Sequence, residues 1–193
     1  MLVGLTGGIG SGKSTVSKVF EILGCVIFNS DEVAKQVYFE ANVKQAVIDL
    51  LSEKAYKSQS EIDKAYISNK IFNDTTMLQK LNAIIHPAVI TACKGFSKQH
   101  PQKIIIKESA LLFEAKLTDE LEKIIVVTAP EDLRIKRVAQ RDNMSFAMVV
   151  QKMKSQLSDA EKLKNADYAI YNNDDELVIP QVIKIHAELL KQL

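Results

Sequence analysis

The first fourteen residues constrain the fold of this chain most strongly. Residues 7–14 satisfy the pattern Gly-x-x-x-x-Gly-Lys-Ser, which turns backbone N–H groups toward phosphate oxygens when it joins a strand to a helix. The apolar run 1–6 precedes the pattern, and apolar residues at helical spacing follow it from Lys13 onward. The sequence therefore predicts a strand, a phosphate-binding loop and a helix. Five of the seven glycines lie in the first twelve residues: Gly4, Gly7, Gly8, Gly10 and Gly12.

The predicted chemistry of this loop depends on its backbone and on two side chains. Lys13 is expected to place its charge on the β and γ phosphates of ATP, and the Ser14 hydroxyl to bind Mg²⁺. A glycine-rich turn with an ordinary surface lysine is the alternative, which the agreement of residue type, spacing and flanking pattern disfavours. The predicted ATP contacts in the loop are Gly8, Ile9, Gly10, Ser11, Gly12, Lys13, Ser14 and Thr15.

Composition and charge exclude several classes of protein. With 193 residues, 47% of them hydrophobic, the chain can bury one core that carries a small insertion. Its 25 basic and 24 acidic residues are mixed along the chain, which disfavours a nucleic-acid binder. No apolar run approaches about 18 residues and no leader pattern is seen, so we expect neither membrane insertion nor secretion.

The two cysteines point to a reducing compartment. Cys25 and Cys93 have no companion Cys or His at metal-ligand spacing. Two small buried thiols in a cytoplasmic protein are the expected state.

Short apolar runs alternate with helical patterns, which favours an α/β fold with a parallel sheet. The predicted strands are 1–6, 25–28, 103–107, 123–128 and, more weakly, 168–171. Residues 42–95 are predicted to be entirely helical, with Pro87 bending or breaking the helix at His86. Residues 130–163 and 175–192 are also predicted to be helical. The expected divisions are a nucleotide-binding core (1–34 with 96–129 and 164–193), a helical insertion (35–95) and a mobile helical segment (130–163).

Missing motifs narrow the class of phosphate-loop protein. A GTPase switch needs Asp-x-x-Gly and Asn-Lys-x-Asp, and neither pattern occurs in the sequence. A transporter-type ATPase would need a Ser-Gly-Gly signature, which is also missing. A small-molecule kinase remains.

Two acidic residues at predicted strand ends are candidates for the chemistry. Asp31 follows the second strand and is the candidate general base, because ligands of open α/β sheets bind at the carboxyl edge. A helix N-cap is the structural alternative for this region. Glu108 ends the strand that begins at residue 103 and could contact Mg²⁺, with a surface carboxylate as the alternative.

Arginine is concentrated in one helical stretch. The chain has 22 lysines but only three arginines, Arg134, Arg137 and Arg141, which can share one helix face. Guanidinium groups on a helix that closes over the site could bind phosphates. The alternative is a solvated helix whose arginines pair with nearby carboxylates. His86 could contact substrate, or could be a packing residue.

The sequence resembles the dephospho-CoA kinase family along nearly its whole length. The residues that carry the resemblance are LTGGIGSGKST (5–15), the turn around Asp31, LNAIIHP (81–87), ESALLFE (108–114), Gln140-Arg141-Asp142 and ADYAIYNN (166–173). The resemblance implies transfer of the ATP γ phosphoryl group to the ribose 3′-hydroxyl of dephospho-CoA with Mg²⁺. It also implies a phosphate-loop kinase fold with a five-stranded parallel sheet, a helical CoA-binding domain and a helical lid.

The resemblance also suggests roles for single residues. Asp31 would be the base, while Lys13 and Arg141 would stabilise the transferring phosphoryl group. Arg137 and Asn173 would add ATP contacts. Asp31, His86, Leu111 and Arg141 would form the acceptor site. We expect a monomer or weak homo-oligomer whose partner is the small-molecule substrate.

The sequence departs from the usual family pattern at three places. Asn29 stands where members commonly have a first Asp, so any task shared by two carboxylates would fall to Asp31. Glu108 and Ala110 replace the Asp and Pro of the usual segment, and Asp174 replaces a glycine. A kinase for another small acceptor and an ATP-binding regulatory module are the competing hypotheses.

Overall fold

The structure is a computed structural model that describes residues 1–72, 74–115 and 117–193. These residues form two compact units, one of Met1–Asn29 with Gln99–Leu193 and one of Ser30–Lys98. Among the described residues, no helix is both long and apolar enough to cross a lipid bilayer. The strands are β1 (Leu2–Thr6), β2 (Val26–Asn29), β3 (Tyr56–Ser58), β4 (Glu61–Ile62), β5 (Ile105–Glu108), β6 (Lys123–Thr128) and β7 (Tyr168–Tyr171).

Helices connect and cover these strands. They are α1 (Lys13–Ile22), α2 (Ser30–Val37), α3 (Ala41–Leu51), α4 (Lys64–Ile71), α5 (Thr75–Gln99), α6 (Glu131–Asp142), α7 (Phe146–Met153), α8 (Asp159–Lys164) and α9 (Val178–Leu190). The predicted helical content of 130–163 is confirmed by α6, α7 and α8, and that of 175–192 by α9.

The sheet of the first unit is parallel throughout, as predicted. Its five strands within the described residues have the order β2-β5-β1-β6-β7. Leu5 on β1 lies opposite Glu108 on one side and Ile125 on the other. Because parallel strands end at the same edge, the segments that follow β1, β5, β6 and β7 meet there.

The core of this unit explains the continuous apolar runs of its strands. Helices α1 and α9 pack side by side, and both contribute to the cluster that also contains Val3 and Leu5 of β1 and Ile125 and Val127 of β6. Phe20 of α1 and Leu189 of α9 are fully buried in that cluster. A smaller cluster of Val138, Ala139 and Val149 joins α6 to α7. Cys25 is a buried free thiol, as the sequence predicts.

The second unit is not entirely helical, so the prediction for residues 42–95 is wrong over one stretch. Strands β3 and β4 pair as an antiparallel hairpin between α3 and α4. The helix α3 ends at Leu51, because the φ of 87° at the next residue, Ser52, is incompatible with a continuing helix. Tyr56 then anchors the hairpin, because its ring contacts Phe39 edge-on at 6.2 Å between ring centres. Its hydroxyl donates to the Tyr38 carbonyl oxygen at 2.8 Å.

Pro87 does not end the helix in which it lies, so of the two predicted effects, a bend or a break, the break is wrong. Helix α5 continues through it from Thr75 to Gln99. The ring costs an intrahelical hydrogen bond, but the Pro87 carbonyl oxygen accepts a hydrogen bond from the Thr91 hydroxyl at 2.9 Å. The buried stripe of Leu81, Ile85, Val89 and Cys93 continues on both sides of the proline, so packing holds the helix together.

Candidate active site

The phosphate loop has the backbone that its glycines predict. Gly10 and Gly12 have φ angles of 80° and 96°, in the left-handed region that glycine adopts without strain. Gly12 immediately precedes α1, and its carbonyl oxygen accepts hydrogen bonds from the N–H groups of Thr15 and Val16 in the first turn of that helix. A Cβ atom at Gly12 would lie 2.1 Å from Nδ2 of Asn172. The tight turn and the close neighbour therefore both require glycine here.

Lys13 lies with its charged end against the loop itself. Its Nζ donates to the carbonyl oxygens of Gly7 and Gly8 at 2.9 and 3.3 Å. Since these carbonyl groups belong to the start of the loop and Lys13 to its end, the ammonium group spans the loop. The charge is therefore held at the loop, where an anion would bind.

Ser14 and Glu108 come together at the carboxyl edge of the sheet. The Ser14 hydroxyl donates to Oε1 of Glu108 at 3.2 Å, although 94 positions separate the two residues. Glu108 ends β5 and is only 7% exposed, so the alternative of a surface carboxylate is wrong. Neighbouring hydroxyl and carboxylate oxygens are the donors that Mg²⁺ prefers. No cluster of three or more His, Cys, Asp or Glu side chains suited to a metal is found among the described residues.

Arg134 is the arginine that contacts the phosphate loop. It is 8% exposed, and a Cβ atom at Gly8 would lie 1.8 Å from its Nη1. Its guanidinium is 3.4 Å from Oδ1 of Asp159, whose Oδ2 accepts the Thr128 hydroxyl at 2.5 Å. Its buried Nε has no hydrogen-bond partner among the described residues. The group therefore retains hydrogen-bonding capacity next to the loop.

Arg137 contacts the segment that follows β7. Its Nη1 donates to the Asn172 carbonyl oxygen at 3.1 Å, and its Nη2 lies 3.5 Å from Asp174. The Asn172 side chain in turn donates to the Ser11 carbonyl oxygen at 2.8 Å. Asn173 accepts the Glu176 N–H and closes a turn. Of the two adjacent asparagines, Asn172 is thus the one whose side chain bonds to the phosphate loop.

Arg141 is placed differently from the other two arginines. Its side chain is 64% exposed and makes two hydrogen bonds to the adjacent Asp142, at 2.7 and 2.9 Å. This pairing raises the pKa of Arg141 and lowers the pKa of Asp142. The pairing with Asp142 matches the alternative of a solvated helix, whereas Arg134 pairs with the more distant Asp159.

The last three predicted site residues, Leu111, Asp31 and His86, make none of the contacts described above. Leu111, in the turn after β5, is 43% exposed. Asp31 is exposed on the first turn of α2, where a carboxylate interacts favourably with the helix dipole. His86 is half-buried on α5, and burial lowers the pKa of its imidazole, which favours the neutral ring. Asp31 and His86 both belong to the unit Ser30–Lys98.

Comparison with known proteins identifies the family. A sequence model described as "Dephospho-CoA kinase" matches residues 1–177. The chain belongs to the dephospho-CoA kinase family. A dephospho-CoA kinase of Bacteroides fragilis is 36% identical over 99% of this chain and 94% of its own length. One from Fusobacterium nucleatum is 35% identical over 91% of each chain.

Solved structures agree with the dephospho-CoA kinase assignment. A Thermus thermophilus protein is 25% identical over the whole of this chain and 97% of its own, with a TM-score of 0.86. A Campylobacter jejuni dephospho-CoA kinase is 26% identical over 99% of this chain and 98% of its own, with a TM-score of 0.72. These likenesses confirm the predicted phosphate-loop kinase fold.

Sequence reasoning missed several residues of this candidate site. The side chains of Asn172, Asp159 and Gln156 all contact the phosphate loop or the arginine beside it. Asn172 lies within the family motif 166–173, beside the predicted Asn173. To choose Asn172 instead, one would have had to know which of the two side chains points toward the phosphate loop after β7. Asp159 and Gln156 belong to no pattern that the sequence reveals, because their partners lie far away along the chain.

Proposed function

We propose that this chain transfers the γ phosphoryl group of ATP to the ribose 3′-hydroxyl of dephospho-CoA, giving CoA and ADP. Membership of the dephospho-CoA kinase family supports the substrate and the reaction. The observation that carries the proposal is the phosphate loop, with Lys13 held across it and Arg134 packed against it. This combination suits phosphoryl transfer, in which positioning and charge stabilisation supply most of the catalysis.

In the proposed complex, the loop amides and the start of α1 bind the phosphates of ATP. Lys13 exchanges its carbonyl partners for phosphate oxygens, which are stronger acceptors because they are charged. Arg134 supplies a guanidinium next to Gly8. Arg137 and Asn173 remain proposed ATP contacts, and Arg141 would have to leave Asp142 to reach the transferring group.

Mg²⁺ fits the residues present, and Ser14 and Glu108 would hold it. Magnesium neutralises developing negative charge between the phosphates when it is bound. The two side chains offer two oxygen donors, so the remaining ligands would be phosphate oxygens and water. Buried Glu108 also places a negative charge close to where a divalent cation would sit.

Asp31 is the proposed general base for the acceptor hydroxyl, with Leu111 and His86 as proposed contacts of the acceptor. The neutral state favoured for His86 would allow it to accept a hydrogen bond. We further propose that residues 35–95 bind dephospho-CoA and that residues 130–163 act as a lid. We also propose that the enzyme acts in the cytoplasm. Its proposed partner is the small-molecule substrate, with no nucleic acid or membrane involved.

A panel of acceptors tests this function. The purified chain is incubated with Mg²⁺-ATP and, separately, with dephospho-CoA, nucleoside monophosphates, shikimate or no acceptor, and ADP release is measured. Dephospho-CoA should give the highest kcat/KM by several orders of magnitude. A higher value for another acceptor would overturn the substrate, and ATP binding without turnover of any acceptor would favour a regulatory module.

A further inference from the structure

One glutamine outside the sequence motifs bridges two segments of the candidate site. Oε1 of Gln156 accepts the N–H of Ile9, in the phosphate loop, at 2.8 Å. Its Nε2 donates to the carbonyl oxygen of Ala110, in the turn after β5, at 3.4 Å. The side-chain amide therefore uses one acceptor and one donor to tie the loop to that turn.

Neighbouring residues hold this glutamine in place from both sides of the bridge. Oε1 of Glu114 accepts the Leu157 N–H at 2.8 Å and lies 3.1 Å from Nζ of the fully buried Lys162. Asp159 contacts Arg134, which packs against Gly8. We call residues 156–162 the clamp segment.

Three residues of the clamp segment, spaced three positions apart, make its contacts with the phosphate loop and with the residues next to the loop. Gln156, Asp159 and Lys162 follow one another at intervals of three positions, and each reaches a different part of the site. Only Gln156 bonds directly to an amide of the phosphate loop among the three. The other two contacts restrict the backbone from which its side chain extends.

We infer that Gln156 is a positioning residue that holds the Ile9 peptide in the orientation needed for nucleotide binding, an inference that rests on the proposed function. A peptide that is already oriented does not have to be ordered when the phosphates bind. Without the bridge, the loop would populate the binding orientation only part of the time, and the apparent affinity would fall by that fraction.

If Gln156 competed with the nucleotide instead of positioning the loop, its removal would change the nucleotide affinity in the opposite direction. Gln156 could occupy a phosphate position on the Ile9 amide, and its removal would then tighten nucleotide binding. The simultaneous bond to Ala110 favours positioning, because the glutamine is anchored at both ends of its amide.

Gln156→Met tests the inference, because methionine keeps the volume and removes both hydrogen bonds. Gln151→Ala, at an exposed position on α7, is the matched control. We expect about tenfold weaker binding of Mg²⁺-ATP by calorimetry and a similarly raised KM for ATP, because the Ile9 peptide loses the bridge that orients it. The KM for dephospho-CoA should stay within about twofold. Amide hydrogen exchange at residues 8–11 of the nucleotide-free protein should accelerate.

The outcomes separate this inference from the proposed function. Unchanged or tighter ATP binding by Gln156→Met, or both KM values rising together with a loss of thermal stability, would overturn positioning. Wild-type protein that binds no nucleotide would overturn the proposed function and the inference together. Wild-type protein that binds ATP but does not use dephospho-CoA would overturn the acceptor alone, while the effect of the methionine on ATP affinity would still decide the role of Gln156.

Discussion

Glu108 is a buried carboxylate that accepts a hydrogen bond from the Ser14 hydroxyl at the start of α1. A buried carboxylate is costly unless it is hydrogen-bonded or meets a cation. The sequence placed both residues at strand and helix ends, but nothing in it joined positions 14 and 108. Only the register of β5 beside β1 brings the carboxylate to the phosphate loop.

Glu108→Gln should therefore impair the use of Mg²⁺ more than it impairs folding. The amide keeps the size of the side chain but loses the charge that would attract the cation. We expect kcat/KM to fall by about tenfold or more, with a raised Mg²⁺ concentration for half-maximal activity, as for lost metal ligation. Steady-state kinetics over a Mg²⁺ series measures this, with the exposed Glu53→Gln as control. An unchanged Mg²⁺ dependence would contradict the assignment.

The buried thiol of Cys25 should make the free energy of unfolding depend on pH. Burial raises the pKa of its thiol to about 11 from 9.0, and nearby Lys103 opposes this only in part. The thiol stays protonated in the fold while the unfolded chain ionises, so stability is retained below pH 9 and lost between about pH 9 and 11. Urea unfolding measures the difference in free energy of unfolding between wild type and Cys25→Ala, and this difference should change by on the order of 2 kcal/mol over this pH range. A constant difference would be the contrary result.

At the scale of elements, α8 is tied to the turn after β5 by a buried ion pair. Nζ of Lys162 lies 3.1 Å from Oε1 of Glu114, and Lys162 is fully buried while the Glu114 side chain is 16% exposed. Helical periodicity predicted a helix in this region but gave no sign that a lysine would be in its interior. Helix α8 packs against β6, and Lys162 is its buried residue.

Lys162→Met should destabilise the fold, because it leaves Glu114 without its cation. Removing one partner of a buried pair typically costs about 3–5 kcal/mol, although the Leu157 N–H still bonds to this carboxylate. The exposed Lys164→Met, on the same helix, should change the free energy of unfolding by less than about 0.5 kcal/mol. Urea unfolding compares the two. Adding Glu114→Gln to Lys162→Met should recover part of the loss, and a failure to recover any would argue against the pair.

On the scale of the whole molecule, the chain leaves the sheet unit after Asn29 and returns to it at Gln99. Asp31 is the second residue of the inserted unit, so it follows directly from the carboxyl end of β2. Along the chain, the proposed base thus lies where the segment proposed to bind nucleotide ends and the segment proposed to bind dephospho-CoA begins.

Asp31→Asn should separate binding from chemistry. We expect ATP affinity to remain within about twofold while kcat with dephospho-CoA falls on the order of a hundredfold or more, as for the loss of a general base. The neighbouring Glu32→Gln, also exposed on α2, is the control. Calorimetry and single-turnover assays measure the two effects. Full turnover by Asp31→Asn would remove this residue from the mechanism.

Local pattern was sufficient for the phosphate loop and the parallel strands, and it failed where packing or distant contacts decide. A left-handed glycine and an apolar run are preferences of neighbouring residues, so the sequence alone determined β1, the loop and α1. The hairpin at Tyr56 and the unbroken helix through Pro87 depend on packing that overrides local preference. The contacts of Ile9 with Gln156 and of Ser14 with Glu108 span 147 and 94 positions, and only the folded chain decides such pairings, because they follow from the combined packing of several elements.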